Sequence, residues 1–97
     1  MSKKWYIYIL TNPIHTVLYI GVTTNLIQRI NQHQSKIIDW FSKKYNTIIL
    51  IYYEEYIDIN DAIYREKCLK KRKRDWKEKL INELNPWWED LSLRLEW

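Results

Sequence analysis

An arginine and a histidine one helical turn apart, Arg29 and His33, form a combination that suits phosphate chemistry. A guanidinium can hold a phosphate group with two parallel hydrogen bonds, and the histidine would lie beside that contact. Both residues lie at the edge of an apolar helical stripe that contains Leu26, Ile30 and Ile37. The alternative interpretation is a surface arginine next to a histidine at the edge of the core.

Glu66 is the residue that departs most clearly from its local pattern. On a helical projection it lies between Ala62, Ile63 and Leu69, inside the apolar stripe rather than opposite it. A carboxylate buried without a partner is costly, so Glu66 requires a cation or several hydrogen-bond donors. One interpretation is a ligand for a hard divalent metal such as Mg²⁺, which uses few protein carboxylates and keeps several waters. The other is an ion pair with Arg65 or with a lysine from elsewhere in the fold.

Basic residues are concentrated in the segment Lys67–Arg74, where six of eight side chains are cationic. They run around most of the predicted helix, which is more than one solvated face requires. The formal net charge of +4 and an isoelectric point near 9.2 favour a polyanionic partner. Phosphate neutralisation is the use that this charge distribution indicates. The candidate nucleic-acid contacts are Lys67, Lys70, Lys71, Arg72, Lys73 and Arg74.

Several other chemistries find no support in the sequence. It has no CxxC pair, HExxH, P-loop or GxSxG, which argues against zinc sites, P-loop nucleotide hydrolysis and serine-hydrolase chemistry. The single Cys68 allows no internal disulfide, which fits a reducing compartment. The sequence shows no signal peptide and no apolar run of the roughly 20 residues that a membrane span requires. We therefore expect a soluble cytoplasmic protein without a membrane partner.

The β-prone and helical runs predict a single domain over residues 1–97 with the element order β-β-α-β-α-α. Alternation in the first strand places Tyr8 on one face and Ile7 and Ile9 on the other, so both faces are apolar. The fold class is mixed α/β (α+β), with a small three-stranded, mainly antiparallel sheet flanked by helices. The predicted strands are 5–10, 17–22 and 47–56, and 40–46 is a predicted loop. The predicted helices are 26–39, behind caps offered by Thr23-Thr24-Asn25, and 61–73, behind a cap at Asp58 or Asn60. A last helix is capped by Asp75, with Glu78 three residues on in capping-box relation, and is stopped at Asn85-Pro86.

The C-terminal residues 85–97 form a tail after a core of about residues 4–84, and they contain Trp87, Trp88 and Trp97. We expect this tail to pack back onto the domain's own core. Tryptophans left in water would instead indicate a protein contact surface or a dimer. A monomer and a weak homodimer are both compatible with the sequence.

In their order and spacing, these motifs resemble the GIY-YIG nuclease superfamily, in particular its small single-domain bacterial members of the URI type. The first motif stands as Tyr6-Ile7-Tyr8 and the second as Tyr19-Ile20-Gly21, with the two motif tyrosines eleven residues apart. Arg29, His33 and Glu66 match the positions of the family's arginine, its companion histidine and its metal-binding glutamate. The resemblance therefore rests on five positions in the right order.

The resemblance covers roughly residues 4 to 91, with one departure. Tyr6 stands where the first motif has a glycine. Near the end of the chain, Asn85-Pro86-Trp87-Trp88 resembles the Asn-Pro-x-Trp segment of the small members, with Trp88 in the tryptophan position.

The resemblance implies that the motif side chains converge on one phosphodiester of DNA, with one Mg²⁺ or Mn²⁺ ion held by Glu66. Arg29 would bind the non-bridging oxygens. Either tyrosine is allowed as general base, and we favour Tyr8, with Tyr19 positioning the water and His33 supporting a tyrosine.

The resulting hypothesis is a metal-dependent endonuclease that hydrolyses DNA phosphodiester bonds in repair or processing, with RNA as an open alternative substrate. Lys44, in the predicted loop, would add a phosphate contact. The alternative is a non-catalytic nucleic-acid-binding protein on the same scaffold. It is suggested by the basic run and by a chain too short for a separate target-recognition domain.

Overall fold

The computed structural model describes residues 3–35 and 44–95. The strands are β1 (Trp5–Thr11), β2 (Leu18–Thr23) and β3 (Ile49–Tyr56). The helices are α1 (Leu26–Ser35), α2 (Ile59–Lys71) and α3 (Arg74–Leu84), followed by a short 3-10 helix, Leu91–Arg94. The predicted mixed α/β class and the order β-β-α-β-α-α are confirmed.

The three strands form one sheet in the order β2-β1-β3, and both strand pairs are antiparallel. Its two faces carry separate apolar clusters, as the alternation in β1 predicted. The face of Ile7 and Ile9 packs against α2 and α3, which contribute Leu69 and Ile81. The opposite face, with Tyr8, packs against α1 through residues that include Leu26 and Ile30. The central strand is therefore covered on both sides.

The turn between β1 and β2 is organised by the side chain of Asn12. Its Oδ1 accepts hydrogen bonds from the backbone nitrogens of Thr16 at 2.8 Å and Val17 at 3.0 Å. Its Nδ2 donates to Oγ1 of Thr16 at 2.7 Å. His15 has a φ of 58°, which lies in the left-handed region. An asparagine that replaces missing backbone partners in this way allows a short antiparallel connection.

Two helix starts follow the capping rules read from the sequence. Oδ1 of Asn25 accepts from the backbone nitrogen of Gln28 at 3.0 Å, so Asn25 caps α1. Oδ1 of Asp58 accepts from Asn60 at 2.7 Å, and α2 begins at Ile59 rather than at the predicted Asp61.

The predicted cap of the last helix at Asp75 is wrong. Helix α3 begins at Arg74 after Lys73, which makes no capping hydrogen bond with its side chain, and Asp75 lies in the first turn. Glu78, the predicted partner of Asp75, instead accepts from Nε of Arg74 at 2.7 Å. The basic run therefore spans the break between α2 and α3. For Glu78, a charged arginine one turn away is a better partner than a backbone amide.

The tail over residues 85–95 packs onto the core through Trp88 and Leu91, as predicted, but Trp87 stays in solvent, so the prediction is met only in part. The pairing of β1 with β3 shifts register between Ile9 and Leu10. Beside this irregularity, Nδ2 of Asn85 donates to the carbonyl oxygen of Ile51 at 3.1 Å. Leu91 is buried in the core, whereas Trp87 is 82% exposed.

The remaining predictions for the chain concern residues at the edge of the described ranges. The predicted end of α1 near Asp39 and most of the predicted loop 40–46 fall outside them. Lys44 and Tyr45, predicted as loop, are helical. Trp97 also lies outside the described residues. Among the helices described, none has the length and apolar character needed to cross a bilayer.

Candidate active site

The two motif tyrosines pack around one buried histidine on the α1 face of the sheet. Nε2 of His33 lies 3.1 Å from the hydroxyl of Tyr8. The ring of His33 stands edge-on to that of Tyr19, with centroids 4.8 Å apart, and the two phenol rings are 6.2 Å apart. Tyr8 is 2% exposed and Tyr19 is half-buried. Three of the predicted site residues are therefore in mutual contact, although 25 residues separate Tyr8 from His33.

The glycine of the second motif has a steric reason that the sequence does not reveal. Gly21 pairs directly with Tyr8 across β1 and β2. A Cβ atom added at Gly21 would lie 2.4 Å from the Tyr8 hydroxyl oxygen and 2.5 Å from the ring carbon that carries it. No van der Waals contact is that short. Gly21 is therefore required because the phenol of Tyr8 lies across its backbone on the way to His33.

Arg29 lies on α1 one turn before His33, on the same face of the helix. Its neighbour Ile30 is fully buried in the core, whereas Arg29 is half-buried. A guanidinium in this position is anchored by the helix and still accessible to a ligand. Arg29 and His33 share one face of α1, as their spacing predicts.

Glu66 lies on α2, on the opposite face of the sheet, and its side chain is 20% exposed. Its Oε2 is 3.5 Å from Nζ of Lys70, one turn further along the same helix. The predicted alternative of a pair with Arg65 is wrong, because Arg65 is bound elsewhere. Lys70 also lines a cavity with Tyr19 at the edge of β2. Glu66 therefore lies across the sheet from Tyr8, and its predicted convergence with the motif tyrosines stays a prediction.

The surroundings of Glu66 fit a single-carboxylate metal site. The carboxylate is partly exposed, and the only ion pair described for it is the one with Lys70 at 3.5 Å. Within the described residues there is no group of three or more histidine, cysteine, aspartate or glutamate side chains placed to hold a metal. Mg²⁺ is commonly held by one or two carboxylates, with waters and substrate phosphates completing its shell. A site built on Glu66 alone would be of this kind.

The basic residues of the predicted nucleic-acid surface differ in the contacts that they make. Lys67, Lys71 and Lys73 are exposed. Arg72 is also exposed, and its guanidinium lies 4.8 Å from the ring centroid of Trp76. Lys70 is paired with Glu66, and Lys44 is exposed with its ammonium 5.4 Å from the ring centroid of Tyr45.

Arg74 has a structural role that the sequence did not indicate. Its Nη1 and Nη2 atoms donate to the carbonyl oxygens of Thr16 at 2.7 Å and His15 at 2.6 Å, in the turn between β1 and β2. Its Nε donates to Glu78. Because all three nitrogens have acceptors within the protein, we assign Arg74 to holding α3 against this turn rather than to binding phosphate.

A half-buried charge, Glu54 on β3, was also missed by the sequence analysis. Nε and Nη2 of Arg65 donate to its two carboxylate oxygens, each at 3.1 Å. Tyr52 donates to Oε2, and Tyr56 donates to Oε1 at 2.6 Å. A run of strand residues with alternate tyrosines around a glutamate is the signal that could have suggested it. This network fixes α2, the helix that carries Glu66, to the sheet.

The ionisation of this network follows from its contacts. Burial by itself would raise the pKa of the Glu54 carboxyl, but hydrogen bonds from Arg65 and the two tyrosines outweigh that effect and lower it. Burial and the hydrogen bond to Glu54 raise the pKa of Tyr56 to about 12, and the same causes raise the pKa of Tyr52. The tyrosines therefore favour folding below their ordinary pKa, and this contribution is lost as the pH rises from about 10 to 12.

Replacing Glu54 with glutamine is expected to lower the free energy of unfolding at pH 7 by about 2 to 3 kcal/mol, because Arg65 loses its charged partner. The loss of stability between pH 10 and 12 should also become shallower. Chemical denaturation at several pH values measures both effects. The matched control is Glu55→Gln, whose ion pair with Lys4 at 3.6 Å is exposed and should contribute less than about 1 kcal/mol. Equal effects of the two substitutions would contradict this assignment.

Comparisons with known proteins agree with the fold. The family model of the GIY-YIG catalytic domain matches residues 4–80. A UPF0213 protein of Pectobacterium carotovorum is 30% identical over 80 residues, which cover 82% of this chain and 80% of that protein. A UPF0213 protein of Pediococcus pentosaceus is 33% identical over 83 residues, which cover 86% of each. The solution NMR structure of a UPF0213 protein from Bacillus halodurans has a TM-score of 0.58 and 24% identity, with 90% of this chain and 92% of that chain covered, which shows the shared fold.

Proposed function

The chain belongs to the GIY-YIG family, and we propose that it is a divalent-metal-dependent endonuclease that hydrolyses phosphodiester bonds of DNA. The observation that carries the proposal is the packing of Tyr8 and Tyr19 around the buried His33. A hydroxyl at 3.1 Å from an imidazole nitrogen is an arrangement that can move a proton. A cytoplasmic role in DNA repair or processing is part of the same proposal.

Charge stabilisation in this mechanism belongs to Arg29. In the phosphodiester, negative charge grows on the non-bridging oxygens as water attacks phosphorus, and a half-buried guanidinium on a rigid helix can hold those oxygens. Glu66 would hold one Mg²⁺ or Mn²⁺ ion. When bound, this ion supplies positive charge to the phosphate and to the leaving 3′ oxygen.

The attacking water must lose a proton, and we propose that Tyr8 accepts it. A phenol is protonated at neutral pH, because its ordinary pKa is near 10. The hydroxyl oxygen of Tyr8 can accept the proton of the water while its own proton passes to Nε2 of His33, with the other ring nitrogen of His33 carrying the hydrogen. Tyr19, which is half-buried, orients the water. Because His33 is fully buried, the imidazolium returns this proton through the Tyr8 hydroxyl, and solvent or the leaving 3′ oxygen takes it up as the product departs.

The test of the proposed function is nicking of supercoiled plasmid DNA. We expect cleavage by the wild type with Mg²⁺ or Mn²⁺ and none with a chelator. Arg29→Ala should lose about 100- to 1,000-fold in rate, the size found when one charge-stabilising donor is removed. Gln28→Ala, on the exposed face of α1, is the matched control and should cleave like the wild type.

Binding of DNA without any cleavage by the wild type would overturn the proposal. It would favour a non-catalytic nucleic-acid-binding protein, for which the exposed lysines of the basic run are suited. Cleavage of a single-stranded RNA under the same conditions tests whether RNA is also a substrate.

A further inference from the structure

Helix α3 places a lysine beside the candidate active site that has no acidic partner in the structure. Lys77 is half-buried. Across residues 3–35 and 44–95, none of the ion pairs found involves Lys77. Burial, together with the charge of Arg74, lowers the pKa of the Lys77 ammonium.

Two other cations near this lysine have partners within the protein. Lys70 is paired with Glu66, and Arg74 is held by Glu78 and by two carbonyl oxygens of the β1–β2 turn. Removing an ammonium from water beside a second cation is costly unless an anion replaces the lost hydration. Lys77 is therefore a half-buried cation whose lost hydration a bound anion would replace.

The cavity in front of Lys77 indicates where that anion would lie. It has a volume of about 270 Å³ and is lined by Lys70 and Lys77 from two helices and by Leu18, Tyr19 and Ile20 from β2. Because β2 is an edge strand, the cavity is at the margin of the sheet. It adjoins Tyr19, a candidate active-site tyrosine, and Lys70, the partner of Glu66.

We propose that this cavity is a phosphate-binding subsite in which Lys77, together with Lys70, holds a backbone phosphate adjacent to the scissile one. The inference rests on the proposed function for the identity of the scissile phosphate. The two ammonium groups carry six N–H donors, one of which Lys70 can give to Glu66. Because these donors have no fixed geometry, they suit a backbone phosphate in any sequence context. The subsite would fix the strand so that the neighbouring phosphate meets Tyr19 and Arg29.

The test is the salt dependence of DNA binding, measured with a fluorescent duplex in the presence of a chelator, so that no cleavage is needed. Lys77→Met keeps the apolar stem and removes the charge. It should weaken binding about tenfold at low salt and reduce the slope of log affinity against log salt by about 0.9, the value for one phosphate contact. Lys77→Arg should restore both.

The matched control is Lys79→Met, an exposed lysine two residues further along α3 that does not line the cavity. It should leave the slope within error of the wild type. The subsite is overturned if Lys77→Met and Lys79→Met give the same slope and affinity while both keep the wild-type melting temperature. In the nicking assay, Lys77→Met should raise KM more than it lowers kcat. A wild type that binds but does not cleave would refute the nuclease and leave the binding result for Lys77 intact.

Discussion

Replacing Glu66 with glutamine is expected to reduce metal-dependent nicking by about 100- to 1,000-fold. Glutamine keeps the size of the side chain but loses the charge that a divalent cation requires, so the leaving oxygen and the phosphate lose their stabilisation. The structure supports this role because the carboxylate is partly exposed and, among residues 3–35 and 44–95, its one ion pair is with Lys70 at 3.5 Å. Initial nicking rates over a range of Mn²⁺ concentrations measure the effect.

A second readout separates metal binding from folding. The affinity of the protein for Mn²⁺ in a calorimetric titration with a non-cleavable DNA analogue should fall with Glu66→Gln, while its melting temperature changes little. Asp61→Asn, an exposed acidic residue five positions earlier in α2, is the matched control and should retain both affinity and nicking. Unchanged Mn²⁺ affinity in Glu66→Gln would remove this residue from the proposed metal site.

Replacing Tyr8 with phenylalanine is expected to lower the nicking rate by about 100- to 10,000-fold, the range for loss of a positioned proton-transfer group. The hydroxyl that lies 3.1 Å from Nε2 of His33 is lost, and with it the assigned route for the proton of the attacking water. Tyr53→Phe is the matched control, since Tyr53 pairs with Tyr8 in the neighbouring strand. It should cleave like the wild type. A larger loss with Tyr19→Phe than with Tyr8→Phe would exchange the roles of the two tyrosines.

Gly21→Ala tests the same phenol without removing it. The added methyl would lie 2.4 Å from the Tyr8 hydroxyl oxygen, so the ring must move away from His33. We expect a loss of stability of about 1 to 3 kcal/mol and a fall in nicking similar to that of Tyr8→Phe. The double variant Gly21→Ala with Tyr8→Phe should be no slower than either single variant, because both act on one group. Additive losses would show that Gly21 serves the site in another way.

The fold was predicted correctly from local patterns, and the family from the resemblance of the motifs. Alternation in β1 predicted that Tyr8 and Ile7 lie on opposite faces of the sheet, and they do. The two motifs lie on paired strands. Where prediction went wrong, several chemical groups competed for one partner. The cap at Asp75 failed because Glu78 binds Arg74 instead. The partner of Glu66 was predicted to be Arg65 or a lysine from elsewhere in the fold, but it is Lys70, one turn along the same helix.

The sequence by itself determined the order of strands and helices, the two faces of the sheet and the positions that match the family motifs. The order of elements and the faces of the sheet depend on periods of two and 3.6 residues, which are properties of a short stretch of chain. Only the tertiary structure decided which charged and polar side chains meet. Arg74 binds a turn 58 residues away, Glu54 takes Arg65, and Gly21 makes room for Tyr8. Long polar side chains select their partners from whatever the packing of distant segments brings within reach, and no local pattern carries that information.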